Sequence, residues 1–198
     1  MFLNDNLIVF FFVDDICYMF RDSDQAIADR FRDNLASRFK IRDLGELRWF
    51  LGIRVVRDRS QRRLWLCQDS YIETIATRFN LICDRIAPAT PIRIKHLIAN
   101  KDIADQATTY LYQRKIGSVL YLAIISRSNI ALTAIKLSSF LSNPSLDYIT
   151  AANRCIQYLY SIRHLVIMFD GLNNTEEKAF RAYTDASFAD DQQDRKST

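Results

Sequence analysis

Apolar residues bunch together, then space out, then bunch again along this chain, and each spacing predicts an element. Leu7 to Phe20 holds two apolar, aromatic-rich runs, Leu-Ile-Val-Phe-Phe-Phe-Val and Ile-Cys-Tyr-Met-Phe, meeting at Asp14-Asp15. This is the outline of a tight β-hairpin. Ser23 is placed to cap a helix from about Asp24 to Phe39, where Ile27, Phe31, Leu35 and Phe39 recur every four residues and Asp29, Arg30, Arg32 and Asp33 take the wet side. After Asp43-Leu44-Gly45, the stretch Trp49 to Val56 is rich in β formers, Asp58-Arg59-Ser60-Gln61 reads as a turn, and Arg63 to Cys67 returns as the partner strand of a second hairpin. Ser70 with Glu73 forms a capping-box pair ahead of a short helix whose inward residues are Ile72, Ile75, Ala76 and Phe79.

Pro88 and Pro91 then interrupt the pattern, and from Tyr110 the period is helical. Tyr112, Ile116, Val119, Leu120 and Ala123 line one helix; Ile130, Ala134, Leu137, Ser138 and Leu141 line the next, which Asn143-Pro144 stops. Ser145 is placed to cap a third, with Leu146, Ile149, Ala152, Ile156 and Leu159 inward. His164 to Phe169 and Ala179 to Tyr183 read as strands around the turn Asp170-Gly171-Leu172-Asn173-Asn174. Strands and helices in separate runs make the expected class α+β.

Composition narrows this to a globular chain: 49% hydrophobic and 25% charged residues over 198 positions leave room for one domain or two small ones. With 4 Gly there is no Gly-rich phosphate loop of the Walker type. The longest apolar run, Leu7 to Val13, falls far short of a membrane span of about 20 residues and lacks the basic leader of a signal peptide, so no membrane role is expected. Cys17, Cys67, Cys83 and Cys155 include no Cys-x-x-Cys pair, which argues against a zinc site or disulfide framework and for a reducing intracellular setting. His96 and His164 have no partner at metal spacing and no nucleophile elbow nearby, so serine-hydrolase chemistry has no support.

Charge is zoned. Nine basic residues against three acids lie between Arg38 and Arg63, a local +6, while Asp170 to Thr198 carries seven acids against four bases, a local −3. Arginine, 20 of the 27 basic residues, has a planar fork suited to phosphate oxygens. The basic zone reads either as a nucleic-acid surface or as a solvated hairpin face. Adjacent carboxylates at Asp14-Asp15 likewise read in two ways: as a site where a divalent cation relieves like-charge repulsion, with the hard oxygen ligands Mg²⁺ prefers, or as a turn that faces water.

Five blocks bear on that choice. Phe12-Val13-Asp14-Asp15 after an apolar strand resembles the Tyr-x-Asp-Asp box of reverse transcriptases. Asp43-Leu44-Gly45-Glu46-Leu47-Arg48-Trp49-Phe50-Leu51-Gly52-Ile53, followed by Trp65-Leu66-Cys67-Gln68 and Ser70-Tyr71-Ile72, is similar to copia-type retrotransposon polyproteins. So are Ile116 to Ala123 and Leu137 to Pro144, and Tyr183-Thr184-Asp185-Ala186-Ser187 with Asp194 to Thr198 resembles the start of their ribonuclease H region.

The resemblance implies an RNA-directed DNA polymerase joined to ribonuclease H within an integrating retrotransposon polyprotein. It divides the chain into the C-terminal part of a palm (1–80), a helical thumb and connection (81–165) and the opening of a ribonuclease H fold (166–198). Asp14 and Asp15 correspond to the second and third palm carboxylates that hold two Mg²⁺ ions, and Asp185 to the first metal-binding aspartate of ribonuclease H. Trp49, Phe50, Leu51 and Gly52 match the primer-grip hairpin, where Arg54, Arg57, Arg59, Arg62 and Arg63 would meet backbone phosphates. The implied partners are RNA template, DNA primer, dNTP and the rest of the polyprotein; the implied setting is a cytoplasmic virus-like particle with a nuclear stage.

Three departures qualify the match. Phe12 stands where the family has Tyr, and Arg127-Ser128-Asn129-Ile130 replaces Arg-Pro-Asp-Ile. Asp14 lies so near Met1 that the fingers and the strand bearing the first catalytic aspartate are expected to lie outside this stretch. The expectation is therefore a fragment that does not polymerise alone, with a non-catalytic template-primer binder and an unselected coding relic as the alternatives.

Overall fold

The structure, a computed structural model, describes residues 2–3, 6–82, 87–93 and 100–171. It is a mixture of helices and two antiparallel sheets, as an α+β fold requires. The first sheet contains β1 (Phe2–Leu3), β2 (Leu7–Phe12) and β3 (Asp15–Phe20) in that order. Its register runs from Leu7 opposite Phe20 to Phe12 opposite Asp15, so the loop is Val13-Asp14, one residue earlier than the apolar runs predict. Val13 takes φ 49°, the left-handed region that tight hairpin turns use at their first loop position and that a β-branched residue disfavours.

The first four residues of the apolar run of β2 are covered on both faces, while Phe11 and Phe12 are exposed. On one face Tyr18 meets Phe31 of α1 (Gln25–Arg38) edge-on at 5.6 Å between ring centroids. On the other, Phe10 meets Phe50 of the second sheet at 5.3 Å, ring edge to ring face. Helix α1 begins after a 3₁₀ turn at Asp22–Asp24, so Ser23 lies within that turn and does not cap the helix. Asp24 holds the cap position, but its carboxylate accepts from Asn6 Nδ2 at 3.1 Å. Ile27, Phe31 and Leu35 are half-buried as expected, whereas Phe39, just past the last turn, is exposed.

The second sheet is β4 (Trp49–Phe50), β5 (Ile53–Asp58), β6 (Arg63–Cys67) and β7 (Ile167–Asp170), in that spatial order. The predicted strand from Trp49 to Val56 is broken at Leu51-Gly52, whose φ values of 52° and 75° make a two-residue hairpin turn. Strand β7 lies beside β6, with Arg63 opposite Asp170 and Leu66 opposite Ile167, so residues 167–170 extend the sheet of the basic hairpin.

Four helices form the core: α2 (Asp69–Arg78), α3 (Gln106–Ile125), α4 (Ala131–Ser138) and α5 (Leu146–Ser161). Ile72 and Ile75 of α2, Ile116 and Leu122 of α3, Leu137 of α4 and Ile156 and Leu159 of α5 are fully buried in one cluster. Each such side chain contributes about 2 kcal/mol by leaving water. Tyr112 completes the cluster by donating to the Leu137 carbonyl at 2.7 Å.

Boundaries differ from the periodicity where caps and polar contacts decide them. Ser70 is already helical in α2, with Gln68 at the cap position. Helix α3 starts four residues before Tyr110, because Asp105 accepts from the Thr108 N–H at 2.9 Å. Ser145 does occupy the cap position of α5, but Leu146 is exposed and Tyr148 takes the inward place instead. Arg127, only 4% exposed, donates to the carbonyls of Leu165 at 2.8 Å and Ile162 at 2.5 Å, tying the α3–α4 loop to the chain entering β7. The predicted strand at Ala179–Tyr183, Asp185, His96 and Cys83 lie outside the described residues.

Candidate functional site

In an antiparallel pair, residues directly opposite one another share a face, and the faces alternate along each strand. Asp15 opposite Phe12 and Cys17 opposite Phe10 therefore lie on one face of the first hairpin. Phe10 is the residue that touches Phe50, so Asp15 stands on the side of its hairpin that meets the β4–β5 hairpin. Both carboxylates are exposed, and Asp15 reaches Cys17 electrostatically: burial first, then the Asp15 charge, raises that thiol above its ordinary pKa. Phe12 and Val13 beside them are 56% and 80% exposed, an apolar tip projecting from the protein.

The second hairpin splits its aromatic pair. Phe50 is half-buried against Phe10, while Trp49 points the other way and is 54% exposed. The turn between them and β5 is held from a distance: Tyr121 Oη on α3 donates to the Leu51 carbonyl at 2.6 Å. A Cβ on Gly52 would lie 3.6 Å from that hydroxyl, ordinary contact, so glycine is required there by its positive φ and not by lack of room.

The five arginines fall into two groups. Arg54 donates to Asp69 at 2.7 and 3.4 Å, Arg59 pairs with Glu46 at 3.3 Å and Asp22 at 3.8 Å, and Arg63 pairs with Asp170 at 3.4 Å. Burial alone would raise the Asp69 carboxyl, but hydrogen bonding and charge from Arg54 outweigh it and hold the group below its usual range. Arg57 and Arg62 are exposed and carry no ion pair among the described residues, so they are the two free to meet an anion.

Asp14 in the turn and Asp15 at the start of β3 are the donor type Mg²⁺ takes. Among the described residues no third His, Cys, Asp or Glu gathers with them. Asp185 lies outside the described residues. No helix among the described residues is long and apolar enough to cross a membrane.

Two residues of consequence carry no sequence signal of their role. Tyr121 sits inside an ordinary helical run, and Lys115 is a charge beside the inward-facing Ile116. Lys115 is 6% exposed, donates to Asn153 at 2.6 Å and faces the Phe79 ring at 5.5 Å, with burial lowering its pKa.

Comparison with known proteins bears on residues 1–94, which match the reverse transcriptase (RNA-dependent DNA polymerase) family. Over 98% of its length the chain is 28% identical to the retrovirus-related Pol polyprotein from transposon TNT 1-94 of Nicotiana tabacum, of which it covers 15%. Over 94% of its length it is 31% identical to the corresponding polyprotein from transposon RE1 of Arabidopsis thaliana, of which it covers 12%, and 28% identical to that from transposon RE2 of the same plant, again covering 12%. It thus spans less than a sixth of the length of these relatives. No solved structure matches it significantly. The chain resembles the reverse transcriptase region of copia-type retrotransposon Pol polyproteins, and its first 94 residues match the reverse transcriptase family itself.

Proposed function

We propose that this chain supplies the Asp14-Asp15 carboxylates and the primer-binding hairpin of an RNA-directed DNA polymerase of the copia type, working with other parts of a Pol polyprotein on an RNA template, a DNA primer and dNTPs. Its main support is one juxtaposition: the hairpin bearing Asp15 meets the β4–β5 hairpin through Phe10 and Phe50, on the face where Asp15 lies. In this reading residues 1–80 are palm, 81–165 thumb and connection, and 166–198 the opening of ribonuclease H, with Asp185 as one of its metal ligands.

Asp14 and Asp15 would hold the metal, and Mg²⁺ there would supply activation of the primer 3′-hydroxyl and charge stabilisation for the leaving pyrophosphate. Gly52 lets the primer backbone approach the turn, Trp49 stacks against the strand, and Arg57 and Arg62 neutralise phosphates. Arg54, Arg59 and Arg63 brace the hairpin through their carboxylate partners and contribute positive potential. A third carboxylate comes from elsewhere in the polyprotein, so the chain binds primed template without extending it. The setting is the virus-like particle that the family resemblance implies.

The test uses residues 1–198 with a primed RNA template. Binding should weaken steeply with salt, and Arg57→Ala with Arg62→Ala should flatten the log–log slope by about 2, close to 1 per phosphate contact. No detectable duplex binding overturns the reading. With dNTPs and Mg²⁺, primer extension that Asp14→Asn abolishes overturns the claim that a further carboxylate is needed.

A further inference from the structure

Strand β4 is two residues long; its pairs with β5 at Trp49–Arg54 and Phe50–Ile53 are extended by a bond from the Val55 N–H to the Arg48 carbonyl at 2.8 Å, a short ladder that by itself holds the Leu51-Gly52 tip weakly. Leu51 is also in the left-handed region, a conformation that costs a leucine and persists only where its surroundings enforce it. The enforcing contact is the bond from Tyr121 Oη to the Leu51 carbonyl, made across 70 residues of sequence. Tyr121 is itself steadied by Tyr71 of α2, edge-on at 5.0 Å.

A peptide unit is planar and trans, so its carbonyl and the following N–H point in opposite directions. With the Leu51 carbonyl turned to Tyr121, the Gly52 N–H is turned away from α3. We propose that Tyr121 is a positioning residue that aims the Gly52 N–H as a donor to one phosphodiester oxygen of the bound primer strand. This rests on the primer-binding reading above and specifies its contact: a backbone N–H directed by a helix that does not itself touch the primer.

Tyr121→Phe removes the hydroxyl and keeps the ring against Tyr71, so its thermal midpoint should stay near that of the parent. Primers carrying a single neutral methylphosphonate, moved linkage by linkage, locate the contact in the full chain. The parent should show one linkage whose neutralisation weakens duplex binding about twofold to tenfold, the span of one hydrogen bond. Tyr121→Phe should bind more weakly by a similar factor and lose that linkage's sensitivity, while linkages sensitive to Arg57→Ala keep theirs. Gly52→Ala, which disfavours the turn through its positive φ while its methyl meets the Tyr121 hydroxyl only at ordinary contact distance, should lose the same linkage.

An unchanged linkage profile in Tyr121→Phe overturns the proposal and leaves the primer-binding reading standing. A second readout needs no nucleic acid: the Ile53 amide, paired across the turn with Phe50, should exchange with solvent deuterium severalfold faster, relative to the amides of α3, in Tyr121→Phe. Equal exchange overturns the positioning role even if the chain binds no duplex, which is the outcome that would overturn the reading beneath it.

Discussion

Arg127→Met removes a guanidinium that is almost wholly enclosed and leaves a side chain of similar length. Two hydrogen bonds from a charged donor to carbonyls, at about 1.5–3 kcal/mol each, set an upper range of roughly 3–6 kcal/mol. Three features reduce it. Burial depresses the guanidinium's pKa, so some cost of enclosing the charge disappears with it. Nε finds no partner among the described residues. Leu165 is exposed, so its carbonyl can take up water once released. A net loss of about 2–3 kcal/mol remains, centred on the carbonyl of half-buried Ile162. Because Ile162 and Leu165 lead into β7, the loss should be local: urea denaturation should show the midpoint falling, and native-state hydrogen exchange should show the Ile167–Asp170 amides opening before those of α3 and α5. A loss under about 1 kcal/mol, or one spread evenly over all amides, would refute the view that Arg127 fastens β7.

Acid should weaken the fold in a defined window. Asp69, held low by Arg54, has a folded pKa below its unfolded value, so its stabilisation is present above about pH 4 and is lost as pH falls through the folded value. Asp58, bonded by Ser60 and Gln61, and Asp105, bonded by Thr108, act in the same direction, and Arg54→Met should shrink the loss seen in denaturation between pH 5 and pH 2. Lys115→Met should leave stability at pH 7 within about 1 kcal/mol, since methionine keeps the apolar stem while removing a desolvated charge. The parent should also gain stability as pH rises from the depressed Lys115 value toward about 10, because the unfolded lysine still binds its proton there; a Met variant with the same slope would refute this. Val13→Gly should raise stability by about 0.5–1 kcal/mol by relieving the left-handed turn, read as a shift in thermal midpoint; a destabilised variant would mean that the Val13 side chain does more than face solvent.

Periodicity made the helical core readable, because Ile72, Ile75, Ile116, Leu137 and Ile156 are buried for the same reason that they are spaced by three or four. It could not show that the Trp49 to Val56 stretch breaks into two strands, since Gly52 suits a left-handed turn but Leu51 does not, and the Leu51 carbonyl is held from α3. Caps were readable only in part. Ser145 is at its helix start, but Asp24 is engaged by Asn6, and Asp105 lies outside any apolar period. The candidate site divides similarly: Asp14 and Asp15 stand out as adjacent charges beside apolar strands, whereas the sorting of five arginines into paired and free depends on acids at positions 22, 46, 69 and 170. Only folding brings those acids to them.

Strand β7 finishes a sheet whose other three strands are made about 100 residues earlier, Arg63 meeting Asp170 across 107 positions. At roughly 5–20 residues per second of synthesis, β6 waits several seconds with one edge bare until α3, α4 and α5 have been made and β7 follows them. Leu64 and Leu66 lie along that edge, an apolar strand open to the wrong partner while it waits, and Arg63 at its start is a charge of the kind that discourages such pairing. Sheet completion is thereby made to follow helix packing, and the basic hairpin gains its last neighbour only after the core beside it exists.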